Sequence, residues 1–170
     1  MIARAPVTTR FQRISAWIST LVRLALAGIF LAAGGLKAID VSASVASVRA
    51  YALLPTGVEV LVGWGLPFVE IALGLLLAAG AFLRVVGAVS AVMVAGFIGA
   101  VISAAARGLS IDCGCFGGGG TVAPGQTDYT GEIIRDVLFL LLALWLVWQP
   151  RSRLALDAGP VERWDREEAR

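Results

Sequence analysis

The 170-residue chain contains no histidine. A histidine general base, a histidine haem ligand and a histidine metal site are therefore all excluded. Cysteine is nearly absent: there are two, and two thiolates cannot complete a four-cysteine zinc or iron–sulfur site within one chain. Charge is scarce as well. Asp, Glu, Lys and Arg make up 15% of the residues, where a soluble domain has about a quarter. The net charge is +2, and the basic residues are scattered instead of forming a tract, which leaves no case for nucleic acid as a partner.

What the chain has in excess is apolar surface. It is 58% hydrophobic with a mean hydropathy of +0.85, the balance of a protein whose main partner is lipid. Once the apolar runs are subtracted, the length leaves room for one membrane domain. That domain is read as residues 16–150, between an N-terminal segment 1–15 and a tail 151–170 in which Arg alternates with Asp and Glu.

The first apolar run, 16–36, follows Arg4, Arg10 and Arg13. A cleaved signal peptide has such a start, but its apolar core runs only about 7–15 residues, so a first transmembrane helix fits better. Residues 37–56 form a connector in which Val41, Val45, Val48, Ala52 and Leu53 fall near helical spacing. This predicts a short amphipathic helix on the membrane surface, ended by Pro55. The second span is 58–80, and the tight link 81–84 turns the chain back into a third, 85–106. A polar, glycine-rich connector runs from Arg107 to about residue 130. The fourth span, 133–149, carries Arg135 and Asp136 in its first turn at one interface, with Trp145 and Trp148 at the other. The expected fold is all-α: an integral membrane four-helix bundle with an extracytoplasmic amphipathic helix and an extracytoplasmic cysteine loop. Arg4, Arg10, Arg13, Arg84 and the five tail arginines lie on one side of these spans. Lys37, Arg49, Arg107 and Arg135 lie on the other, which puts both termini in the cytoplasm and the loop outside, where disulfides persist.

That loop holds both cysteines, in Asp112-Cys113-Gly114-Cys115-Phe116-Gly117. A disulfide across one residue closes a very small ring, and strained disulfides are easily reduced. Gly114 gives such a ring the backbone freedom it needs. The alternative is a static staple or an inert pair, but a staple across one residue removes almost no chain entropy. Cys113 and Cys115 are thus the candidate redox pair. Asp112 disfavours a thiolate at its neighbour, which points to Cys115 as the attacking sulfur. The glycines after Phe116 would let a partner protein approach closely.

Charges inside spans are costly and point to function. Arg23 and Glu70 both fall about 18–20 Å from the outer surface at 1.5 Å per residue. They are expected to pair, either holding the bundle together or lining a site for a quinone-like head group. Lys37 is expected to snorkel to the interface. No cofactor is required by the sequence, and these residues leave room for a quinone.

Several blocks resemble a known family. Residues 34–40 (Gly-Gly-Leu-Lys-Ala-Ile-Asp), Tyr51-Ala-Leu-Leu-Pro55 and Leu66-Pro-Phe-Val-Glu70 with Ala72-Leu-Gly74 resemble successive blocks of DoxX-like membrane proteins. Cys113-Gly-Cys-Phe-Gly117 is similar to the cysteine motif of the MauE branch, the methylamine utilisation proteins. The resemblance covers most of residues 16–148. It implies a four-helix protein of the bacterial cytoplasmic membrane, redox-associated and working with thioredoxin-like partners, with a link to maturation of the disulfide-rich small subunit of methylamine dehydrogenase. Unlike quinone-linked disulfide oxidases, which relay electrons between two cysteine pairs, this chain has one. A membrane thiol–disulfide oxidoreductase component acting on a thioredoxin-like or secreted dithiol partner is therefore weighed against a non-catalytic anchor or assembly subunit of an extracytoplasmic enzyme. A transporter is disfavoured, since no internal repeat is present.

Overall fold

The computed structural model describes residues 9–150 with 152, 155 and 156, and side chains from Ile14 onward. The N-terminal stretch 1–8 and the rest of the tail, with the arginines there that entered the orientation count, lie outside the described residues. Among those described, the chain is mostly helical. α1 is Thr9–Ile39, α2 Val41–Ala50, α3 Val58–Ala79, α4 Leu83–Ala106 and α5 Tyr129–Trp148. Three of these are long and apolar enough to cross a membrane: α1 over Ile14–Ile39, α3 and α4. α5 has the length, but it carries Glu132, Arg135 and Asp136 in its first two turns.

The helices pack in neighbouring pairs, α1 on α3 and α4 on α5, joined where α1 meets α5. Leu26, Leu77, Leu83 and Leu146 are fully buried between them. The outward faces are apolar too, with Leu61 73% and Val92 75% exposed, which only a lipid solvent accommodates. Small residues set the spacing. A Cβ at Gly34 would come within 2.7 Å of the Pro67 carbonyl oxygen, and one at Gly74 within 2.7 Å of Leu31. These two contacts fix the antiparallel register of α1 against α3.

That register overturns the expected Arg23–Glu70 pair. Gly34 lies beside Glu70, whereas Arg23 lies beside Gly80, just past the end of α3. Ten residues of α3 separate those levels, about 15 Å along the axis. The depth estimate failed because it set the start of α3 level with the end of α1. In fact α3 begins well beyond that end, and its first turns pack against α2, where Val45 sits on Gly63.

α2 also differs from the expected amphipathic helix. It ends at Ala50 and buries Ser44 and Ser47, not a valine stripe. The reason lies in α3. Pro67 has no N–H, so the Gly63 carbonyl four residues earlier loses its helical partner. Ser44 Oγ donates to that carbonyl at 2.8 Å, supplying in an apolar setting the bond that proline removed. The mostly helical chain has one small addition to the expected loop. Within the connector, β1 (Ile111–Asp112) pairs antiparallel with β2 (Gly120–Thr121), closing a small hairpin around both cysteines.

Ser44→Ala should therefore lower stability by about 1–3 kcal/mol, the cost of an orphaned buried carbonyl. Adding Pro67→Ala, which restores a donor to the same carbonyl, should recover much of that loss. Thermal melting of the two single variants and the double variant in detergent tests the coupling, and strictly additive effects would refute it.

Candidate functional site

The cysteine hairpin is held in shape by other parts of the chain. Gly114 (φ 63°) and Gly119 (φ 102°) both lie against Ser47 of α2, where an added Cβ would fall within 2.2 and 1.8 Å of the serine oxygen. Only glycine permits both the left-handed backbone and this approach. Ser47 Oγ lies 2.9 Å from the Gly118 carbonyl and 2.8 Å from that of Ala43, so its one proton serves both acceptors. The surface that comes close to these glycines is thus the protein's own α2. At the base of the loop, Arg107 donates to the carbonyls of Tyr51 and Ala52, and the Tyr129 hydroxyl donates to the Leu109 carbonyl.

Both cysteines are half-buried free thiols. The Cys115 backbone N–H donates to Cys113 Sγ at 3.3 Å, and Arg135 Nη2 from α5 lies 3.6 Å from the same sulfur. Arg135 is fixed in turn by Asp136 at 3.0 Å and by the Phe116 ring, 5.4 Å from its guanidinium. The Cys115 side chain beside it, then the hydrogen bonds from Arg135 and the Cys115 N–H, bring the Cys113 pKa down to about 6, against burial that pushes it up. Cys115 moves the other way: its closeness to the Cys113 side chain, and then burial, hold it protonated, and its thiol donates to the Cys113 carbonyl at 4.0 Å.

The cation beside Cys113 Sγ favours that sulfur as thiolate, where the expectation from Asp112 favoured Cys115. Asp112, on which that expectation rested, accepts the Gly114 N–H at 3.1 Å, while the decisive cation comes from a helix 22 residues away. Sequence reasoning placed Arg135 and Asp136 at a membrane interface and did not connect them with the thiols. The available signal was three charges crowded into the start of an otherwise apolar helix that directly follows the cysteine loop. Asp112, Cys113 and Glu132 also bring three donor atoms within 4.8 Å of one another, one short of a closed tetrahedral site.

Beneath the loop lies a second charged group. Lys37 does not snorkel: it is 95% buried and donates to Glu70 Oε1 at 2.5 Å, with Glu70 1% exposed. Its ammonium also lies 5.5 Å from the centre of the Phe97 ring. Lys37, Glu70, Asp136 and Cys115 line one small cavity of about 30 Å³, wide enough for one or two water molecules. The buried Glu70 Oε2 and Asp136 Oδ2 have no hydrogen-bond partner among the described residues. Arg23, buried near Gly80 and Ala155, takes no part in this site.

Two predictions follow from these contacts. Iodoacetamide labelling of Cys113, read by mass, should rise with pH through a midpoint near 6, because only the thiolate reacts. Arg135→Gln removes a group that stabilises the charged form, so the midpoint should move up and labelling at neutral pH should slow; an unmoved midpoint would refute the role given to Arg135. Glu70→Gln, which strands a buried ammonium, should cost about 3–5 kcal/mol, and Lys37→Met in the same chain should restore part of it. Melting temperatures of the three variants decide the second point.

Residues 15–149 match the family described as methylamine utilisation protein MauE. No curated protein and no solved structure matches the chain. The matched stretch takes in the three apolar helices, α2, α5 and the cysteine hairpin. The chain belongs to the MauE family and is a multi-pass membrane protein.

Proposed function

We propose that this protein is a thiol–disulfide exchange component of the bacterial cytoplasmic membrane, working through Cys113 and Cys115 on a thioredoxin-like or secreted dithiol partner. In this reading α5 is the fourth span of a four-helix bundle, its charged first turns at the outer interface. Both termini face the cytoplasm and the hairpin faces outward, as the distribution of basic residues outside the spans favours. The family's association with methylamine utilisation fits a role in maturing an extracytoplasmic enzyme.

The observation that carries the proposal is the setting of the two sulfurs: Arg135 Nη2 and the Cys115 N–H approach Cys113 Sγ at 3.6 and 3.3 Å and favour it as thiolate, with the second thiol one residue away to resolve a mixed disulfide. The Cys113 thiolate attacks one sulfur of a partner disulfide, forming a mixed disulfide and releasing the partner's other sulfur as thiolate. Cys115 then loses its proton to that leaving thiolate and attacks Cys113 Sγ, which forms the Cys113–Cys115 disulfide and frees the second partner thiol. The second partner sulfur departs as thiolate and becomes that thiol with a proton from solvent, so the partner gains two electrons from the pair and two protons, one from Cys115 and one from solvent in place of the proton Cys113 had already released. Run in reverse, the same steps oxidise a partner dithiol.

Cys115→Ser should accumulate mixed disulfides through Cys113, seen as reductant-sensitive adducts on a gel of intact membranes, and Cys113→Ser should give few. The opposite pattern would overturn the assignment of roles. Full maturation activity in the double Cys→Ser variant would instead make the protein a non-catalytic anchor or assembly subunit.

A further inference from the structure

A larger cavity adjoins the same two sulfurs. It measures about 200 Å³ and lies between α2, α3, α4 and the hairpin, with Cys113 and Cys115 both on its wall. Its remaining walls are mostly apolar, among them Val48, Val62, Leu66, Phe97 and Ala100. Leu53 and Leu54 also line it and are 49% and 39% exposed, so an apolar mouth opens beside the start of α3. An apolar cavity of about 150 Å³ is enough to take up benzene, so one substituted six-membered ring fits here.

The polar groups on the wall narrow the occupant further. Ser44 and Ser47 are already committed to the Gly63 and Gly118 carbonyls. That leaves Lys37, two of whose ammonium protons are not used by Glu70, and Tyr51, whose hydroxyl has no hydrogen-bond partner among the described residues. Burial first, and then the nearby thiols and carboxylates, raise the Tyr51 pKa above its ordinary value, so the phenol remains a donor. Two residues with hydrogen-bond donors on the wall of an apolar slot suit a neutral ring bearing carbonyl oxygens. A phosphate-bearing carrier such as a nicotinamide or flavin nucleotide finds no match, because the one cation on this wall is held by Glu70.

We propose that this cavity binds the ring of a membrane quinone and passes to it the two electrons of the Cys113–Cys115 dithiol. The inference rests on the exchange reading above, run in the direction that oxidises a partner dithiol and reduces the pair, and supplies its electron acceptor. A chain with a single cysteine pair needs that pair to meet both partners, and the sulfurs here lie between the outer loop and the cavity. In the step, the Cys113 thiolate and the Cys115 thiol join in an S–S bond, and two electrons reduce the quinone. One proton from Cys115 and one from solvent, equivalent to the proton Cys113 had already released, convert the two carbonyls to hydroxyls. The pair leaves as disulfide and the ring as hydroquinone. The expected pair of Arg23 and Glu70 as the quinone site is thereby replaced: Arg23 lies at the far end of α3, and Glu70 acts only through its hold on Lys37.

The test uses the full chain in lipid nanodiscs with decylubiquinone as probe. Binding is measured by equilibrium dialysis on the double Cys113→Ser/Cys115→Ser variant, so that no electrons move. Oxidation is measured on the reduced wild type, by thiol alkylation together with the loss of quinone absorbance. Exchange of the wild-type pair with glutathione disulfide is followed separately. Saturable binding should fall about tenfold or more when Ala100→Trp or, independently, Val62→Phe fills the cavity, and the dithiol should be oxidised one for one with the quinone. Melting temperatures identify any filling variant that has not folded, and the other then serves. Binding that is absent, or that both folded variants leave unchanged, overturns the cavity assignment, while continued glutathione exchange leaves the exchange reading standing. Binding without thiol oxidation overturns the electron transfer. A pair inert to both quinone and glutathione removes the exchange reading, and this inference with it.

Discussion

Everything around the thiols depends on one ion pair placed where water is scarce. Lys37 closes the last turn of α1, and Glu70 lies in the middle of α3; each would be costly to bury alone. Together they tie the two helices at one level, and the glycine contacts at Gly34 and Gly74 keep that level from slipping. Both residues line the smaller cavity beneath the hairpin, and Lys37 lines the larger one as well. Its contribution is therefore one of registration as well as charge. With those contacts it holds the height at which α3 stands against α1, and so where α2 can rest on the early turns of α3.

The second constraint is the repair of Pro67. A proline in a lipid-exposed helix leaves a carbonyl that no water will satisfy, and Ser44 answers it from α2. That bond, with the contact of Val45 on Gly63, draws a short helix of modest hydrophobicity onto the bundle. Once α2 is docked, Ser47 is presented one turn on, and the hairpin closes over it. A backbone irregularity in one helix is in this way connected to the position of the reactive sulfurs.

The sequence made the apolar helices plain, because long runs with small residues have few alternatives in composition or length. The redox pair was equally plain, since Cys113 and Cys115 are the only thiols. Relations across the chain were not legible. The Arg23–Glu70 expectation matched opposite charges by counting from the ends of spans, but depth is set by packing, and Gly34 and Gly74 decide it. Arg135 was read through hydropathy alone, as a charge stranded at the edge of an apolar helix. Its importance comes from lying 3.6 Å from Cys113, a distance that no one-dimensional pattern encodes. Ser44 and Ser47 were missed for a related reason: a helix is usually docked through its apolar residues, and this one is docked through hydroxyls.

The hairpin itself has little to hold it. Two residues on each side form its ladder, and five glycines between 114 and 120 take positive φ values. Its shape is imposed from outside, by Ser47 below, Arg107 at the base and Arg135 from α5. The motif is consequently not portable. A peptide copied from residues 107–130, or the same six letters set into another loop, would keep both sulfurs and lose Ser47 and Arg135, and with them the shape of the loop and the cation at Cys113.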